Sequence, residues 1–259
     1  MRVALGIEYD GSRFSGWQRQ AHVTGVQQVL EEALSKVADH PVDLVCAGRT
    51  DAGVHATAQV AHFDTRAERS TRAWVLGATC NLPSAVCVNW AQAVPDDFHA
   101  RFSATGRQYR YILLNRPVRP ALLHARVCWE HRPLDVERMA TAARCLIGEH
   151  DFTSFRAQGC QARHPRREVY SVDIQRHGDF IYLDIAANAF LHHMVRNIAG
   201  TLLAVGRGDQ PVEWVEQVLT ARDRTRGGIT APAGGLYFVQ VRYPARFALP
   251  QMPSLPAFA

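Results

Sequence analysis

The residues Cys46-Ala47-Gly48-Arg49-Thr50-Asp51-Ala52-Gly53-Val54-His55-Ala56 set one carboxylate between two glycines, directly after an apolar run that reads as a strand. Gly48 and Gly53 permit backbone angles or close approaches that a Cβ would forbid, and loops placed by a rigid sheet are where chemistry tends to sit. Asp51 is therefore the first candidate for a reactive group. The same pattern also fits an Asx turn, in which Asp51 or Thr50 merely accepts hydrogen bonds from neighbouring backbone N–H groups.

Two further sets of residues carry chemistry. From Arg107 to Leu114 polar and apolar residues alternate; with side chains switching faces at each step, Arg107, Tyr109 and Tyr111 share one face, and Gln108, Arg110 and Ile112 the other. One guanidinium and two phenols suit a flat ligand, and the same spacing fits tyrosines that cap a core with hydrated hydroxyls. Leu191, Met194, Val195, Ile198, Leu202 and Val205 line one stripe of a helix ending near Gly206, and Arg196 falls off it, either toward a cleft or onto an ordinary helix surface. Asp51, His55 and His62, with His192-His193, raise a metal-dependent hydrolase. Against it, adjacent histidines on a helix diverge by about 100°, and the sequence has no H-x-x-x-H pair.

The positioning elements follow from pattern. Val3, Leu5, Ile7 and Tyr9 alternate as a half-buried strand ended by Asp10-Gly11-Ser12. Thr24 offers an N-cap to a helix on which Val26, Leu30, Leu34 and Val37 recur. A second strand, Val42 to Cys46, enters the Asp51 loop and a third, Thr57 to Phe63, leaves it. A helix from Thr65 to Ala78 puts Arg66, Arg69 and Arg72 on one face, and Val86, Val88 and Trp90 read as a strand. Asp135 caps a helix stopped by Gly148, and Val169 to Ile174 with Phe180 to Ala186 forms a hairpin about His177-Gly178-Asp179. Pro211 opens a further helix at its first turn, and Leu236 to Tyr243 is a closing strand. Hairpins, and the lack of G-x-G-x-x-G or a phosphate loop, predict α+β with a largely antiparallel sheet.

At 259 residues and 47% hydrophobic the chain can bury a substantial core. Its charge of +5 favours a polyanionic partner, and of its 29 basic residues all but Lys36 are arginine, whose planar fork binds phosphate oxygens bidentately. Six scattered cysteines with no C-x-x-C pair read as free thiols, and the N-terminus lacks the charged region and apolar block of a signal or membrane segment. The expected compartment is the cytoplasm.

The Asp51 string resembles the catalytic motif of the TruA-type tRNA pseudouridine synthases. The likeness continues in Tyr9-Asp10-Gly11-Ser12-Arg13-Phe14-Ser15-Gly16-Trp17-Gln18-Arg19-Gln20, in Arg107-Gln108-Tyr109-Arg110-Tyr111, in Phe190-Leu191-His192-His193-Met194-Val195-Arg196-Asn197 and in Gly235-Leu236-Tyr237-Phe238, so it spans nearly the whole chain. It implies the α+β pseudouridine synthase fold, two similar halves with a largely antiparallel mixed sheet and a central basic cleft. The expected division is 1–104 for the half with the Asp loop, 105–247 for the second half and 248–259 for a Pro-rich tail.

The resemblance also implies a reaction: tRNA pseudouridine(38-40) synthesis, in which uracil leaves its ribose carbon, rotates and rejoins through C5, with no cofactor and no metal. Asp51 then occupies the place of the catalytic acid, as nucleophile or as the base that removes a ribose proton. Arg196 matches the partner arginine that keeps this acid ionised and oriented. Tyr109 matches the tyrosine that stacks on the target base, and Arg49 a residue that fills the space of the flipped base or holds it out. The implied partner is the tRNA anticodon stem-loop, and the implied assembly a homodimer. Ala56, where many relatives have Gly, and Gly25, where Thr often precedes the first helix, depart from the pattern without removing a functional group. The rival readings are an N-glycosidase or ribosyltransferase with Asp51 as covalent nucleophile, and a catalytically silent RNA-binding module.

Overall fold

The alternation of Val3, Leu5, Ile7 and Tyr9 becomes strand β1 (Arg2–Tyr9) in a computed structural model that describes residues 1–250 and 255–258. β1 runs antiparallel between β3 (His55–Asp64) and β4 (Val86–Val94), and it is buried on both faces, not one, with only Arg2 and Glu8 outside the buried set. A Cβ on Gly6 would lie 1.9 Å from Trp90 Nε1. Of the tail expected at 248–259, residues 251–254 and 259 lie outside the described residues.

The chain forms two compact units, Met1–Thr105 with Phe238–Pro256, and Gly106–Tyr237 with Ala257–Ala259. In the first, the strand order is β4-β1-β3-β10, with β10 at Leu236–Arg242. The helices α1 (Val26–Ala38) and α2 (Thr71–Asn81) serve this sheet: Trp74 meets Phe63 edge-on at 5.1 Å, and a Cβ on Gly77 would lie 3.0 Å from Val37.

Three expectations for this unit are corrected. Thr24 does not cap α1: the N-cap is Gly25, without a side-chain bond, and the first N–H groups donate to loop carbonyls, Val26 N to Gly16 O and Gln27 N to Trp17 O. The loop lies so close that a Cβ on Gly25 would be 2.5 Å from Gln18 O. The strand expected from Val42 shrinks to β2 (Val45–Cys46), since side chains of α1 take the earlier donors: Val42 N–H goes to Ser35 Oγ and Leu44 N–H to Glu31 Oε1. The second helix begins at Thr71 behind the cap Ser70, whose Oγ accepts from Ala73 N. Arg66 and Arg69 therefore precede the helix and share no helical face with Arg72; Arg69 Nε donates to Val37 O.

In the second unit β5 (Gly106–Asn115), β9 (Phe180–Ala187), β8 (Arg166–His177) and β7 (Gly148–Asp151) pair antiparallel in that order, and β6 (Cys128–Glu130) runs parallel beside β5. Gly178, at φ +56°, turns the expected β8–β9 hairpin. Asp135 caps α3 (Val136–Ala143) by accepting from Arg138 N. That helix packs on α4 (Met194–Gly206), where a Cβ on Gly206 would lie 2.6 Å from Met139 Sδ. Pro211 stays outside α5 (Trp214–Ala221), its carbonyl accepting from Trp214 N. Both units are α+β.

Candidate active site

Asp51 sits in a turn closed by the backbone: Val54 N–H donates to Asp51 O at 3.1 Å, and Gly53 takes φ +78°. This is the left-handed position at which glycine carries no Cβ penalty. The N–H that an Asx turn would recruit, that of Gly53, donates to Phe14 O. That bond ties the turn to the loop carrying Phe14, and Asp51 is half-buried. Gly48 has no such strain and meets the Phe238 ring at ordinary contact distance.

A second loop presses on the first. Trp17 N donates to Thr50 O, and a Cβ on Gly16 would lie 2.7 Å from that same oxygen, so the close approach needs the glycine. Below the turn, Thr50 Oγ1 lies 2.8 Å from Tyr9 OH, and Gln59 Nε2 donates to Gly48 O at 2.7 Å. Burial raises the Tyr9 phenol well above its ordinary range and pushes the Cys46 thiol up to about 12, so neither ionises near neutrality. Arg49, next to buried Thr50, is exposed.

His55 and His62 lie seven residues apart on β3, whose register against β1 slips by one residue between them. Each uses Nδ1 on the backbone, His55 accepting from Gly11 N and His62 from Ala100 N. They do not form one ligand set with Asp51. His192 and His193 are not helical either: they form the turn before α4, His193 at φ +61°, with rings 4.1 Å apart. The divergence expected from helical neighbours does not apply to them.

In the second unit β5 carries Arg107, Tyr109 and Tyr111 on one face, as the alternation predicts, but the two phenols differ. Tyr111 is core: its hydroxyl donates to Pro232 O at 2.8 Å and burial raises its pKa. Tyr109 retains 9% exposure and meets Phe190 edge-on at 5.0 Å. Arg107 Nη1 donates to Asn188 O. Opposite them Arg110 makes a two-pronged pair with its cross-strand partner Asp184, at 2.8 and 2.7 Å.

Arg196 lies one turn into α4, half-buried, with Nε donating to Ala231 O at 2.9 Å while Ala231 N donates back to Arg196 O. Its neighbour Asn197 is buried, and the sequence reading named it only as the end of a motif, with no role. Nδ2 donates to Phe155 O, and Oδ1 accepts from Thr230 Oγ1 and Arg224 Nη2. The available signal was an amide inside the apolar stripe of α4, since buried polar groups need partners. Unit by unit, the structure thus offers a carboxylate on a locked turn, and separately a largely buried tyrosine ring and an oriented guanidinium.

A family model described as tRNA pseudouridine synthase matches residues 6–103 and 142–244. The chain is 58% identical over 258 residues to the tRNA pseudouridine synthase A of Vibrio cholerae serotype O1, covering 100% of this chain and 98% of that one. It is 59% identical over 253 residues to the namesake of Aeromonas salmonicida, covering 98% and 94%. It is 57% identical over 257 residues to that of Escherichia fergusonii, covering 99% and 95%.

Proposed function

The chain belongs to the tRNA pseudouridine synthase family and isomerises tRNA uridine, and from that premise we propose that Asp51 is the catalytic carboxylate, acting on uridines on the 3′ side of the anticodon stem-loop. The observation that carries this reading is the Asp51 turn. Its backbone is closed by the bond from Val54 N–H to Asp51 O and tied to the neighbouring loop by the bond from Gly53 N–H to Phe14 O, in a chain nearly full-length similar to such enzymes. Preorganised placement of a reacting group is what converts binding into rate.

The other roles follow the resemblance. The 1–104 half supplies Asp51 and Arg49, and the 105–247 half supplies Tyr109 and Arg196. Arg196 is the cation that keeps Asp51 ionised and in one rotamer. Tyr109 stacks on the displaced uracil, and Arg49, exposed beside buried Thr50, fills or guards the place the base leaves. The reaction moves one C–N bond to a C–C bond within the substrate, so neither a redox cofactor nor a nucleotide enters its balance, and no metal is assigned a role. The enzyme works in the cytoplasm as a homodimer. All six cysteines are unpaired thiols, and among the described residues no helix is long and apolar enough to cross a membrane.

The test is to incubate the protein with unmodified tRNA in EDTA and map pseudouridine by chemical derivatisation. Conversion at the 3′ side of the anticodon stem-loop supports the reading. Conversion elsewhere in the tRNA contradicts the site, and release of free uracil would make the protein a glycosidase.

A further inference from the structure

The segment from Gly228 to Ala231 is bolted along α4 by contacts that the reaction does not use directly. Gly228 N donates to Thr201 Oγ1, which itself donates to Asn197 O. Ile229 O sits so close to the helix that a Cβ on Gly200 would lie 1.7 Å from it, so Gly200 is required for the approach. Thr230 Oγ1 donates to Asn197 Oδ1 at 2.7 Å, and Arg224 Nη2 reaches both of these oxygens at 3.0 Å. Ala231 then exchanges two bonds with Arg196, accepting from Nε and donating to the main-chain carbonyl.

The sequence of contacts runs from a buried amide to a guanidinium. Asn197 is held in turn by Phe155 O at 2.8 Å, so its carbonyl oxygen presents a fixed acceptor. Fixing Thr230 fixes the next residue's carbonyl, and a tether at Nε limits rotation of a planar guanidinium. Such an arm costs Arg196 the conformational entropy of its long side chain before substrate arrives, which is the usual form of preorganisation.

We infer that Asn197, Thr230 and Arg224 form a positioning network for Arg196, acting on the isomerisation through the 228–231 strap. The inference rests on Arg196 being the cation that serves Asp51. None of the three is placed against substrate; they act through the carbonyl of Ala231.

Thr230 is half-buried, so its hydroxyl can be removed at nearly constant shape. The experiment compares Thr230→Val and Thr230→Ser, each alone and combined with Arg196→Ala, by single-turnover pseudouridine formation and by tRNA affinity. Thermal unfolding of each variant is followed alongside. Thr230→Val should lower the single-turnover rate roughly 10-fold with tRNA affinity unchanged. Thr230→Ser should restore the rate to within about 2-fold of wild type, and Thr230→Val should cost nothing further in the Arg196→Ala background. Multiplicative losses in the double variant would overturn the inference, as would a Thr230→Val rate equal to wild type. If Arg196→Ala alone keeps full activity, it is the assigned role of Arg196 that fails.

Discussion

Tyr9 OH and Thr50 Oγ1 lie 2.8 Å apart, buried at the end of β1, directly beneath the residue that precedes the candidate carboxylate. Gln59 Nε2 approaches the same phenol at 3.4 Å while bonding Gly48 O, so one small polar cluster holds the base of the Asp51 loop. Tyr9→Phe strands the Thr50 hydroxyl in an apolar setting. The expected cost is about 1–2 kcal/mol of unfolding free energy by denaturant titration, with a roughly 10-fold slower pseudouridine rate. Lost stability with an unchanged rate would show that the cluster serves the fold and not the loop.

Much of this architecture is legible in the sequence where local pattern and tertiary need agree. The β8–β9 hairpin has alternating flanks and a glycine at the turn, and Asp135 caps its helix as its type predicts. The readings fail where distant groups replace local ones. Backbone carbonyls of Gly16 and Trp17 take the place of a Thr24 cap, and Glu31 and Ser35 satisfy the donors that would have extended β2. Likewise Gly16 looks like any loop glycine until Thr50 O is found against it. At the site, Asp51 stands out because glycines frame it, whereas the partners of Asn197 lie 42 positions upstream at Phe155 and 27 and 33 downstream at Arg224 and Thr230.

His62 gives the fold a defined acid sensitivity. Burial first, then Arg2 and His99, lower its pKa from 6.5 to about 4, while Asp64 opposes. The unfolded chain therefore binds a proton that the folded chain refuses between pH 6.5 and 4. His62's contribution is complete above pH 6.5 and is lost as pH falls through that window, by up to ~3 kcal/mol. His62→Asn keeps an acceptor for Ala100 N and cannot titrate, so its unfolding free energy should fall less steeply between pH 6.5 and 4 than that of wild type. Equal slopes would assign the acid sensitivity to other groups.

Tyr109 offers an edge-packed ring with a small exposed portion, so its two parts can be separated. Tyr109→Phe keeps the face that stacks on a base, and Tyr109→Leu removes it. Stacking is worth roughly 1–3 kcal/mol, so Leu should weaken tRNA capture by about 5- to 150-fold. If the hydroxyl moves the proton at C5, Phe should slow the single-turnover rate by roughly 10²-fold at unchanged affinity. Two variants with wild-type rate and affinity but lower melting temperatures would make Tyr109 a core residue.

The most direct measurement of the central claim compares Asp51→Asn with wild type for single-turnover pseudouridine formation in unmodified tRNA, at tRNA concentrations that saturate both. Asparagine keeps the shape and leaves the Gly53–Val54 turn closed by its own backbone, so loss reports chemistry and not unfolding. The account predicts a fall on the order of 10³-fold or more, with tRNA affinity retained. A variant that forms pseudouridine at a rate comparable to wild type would contradict it.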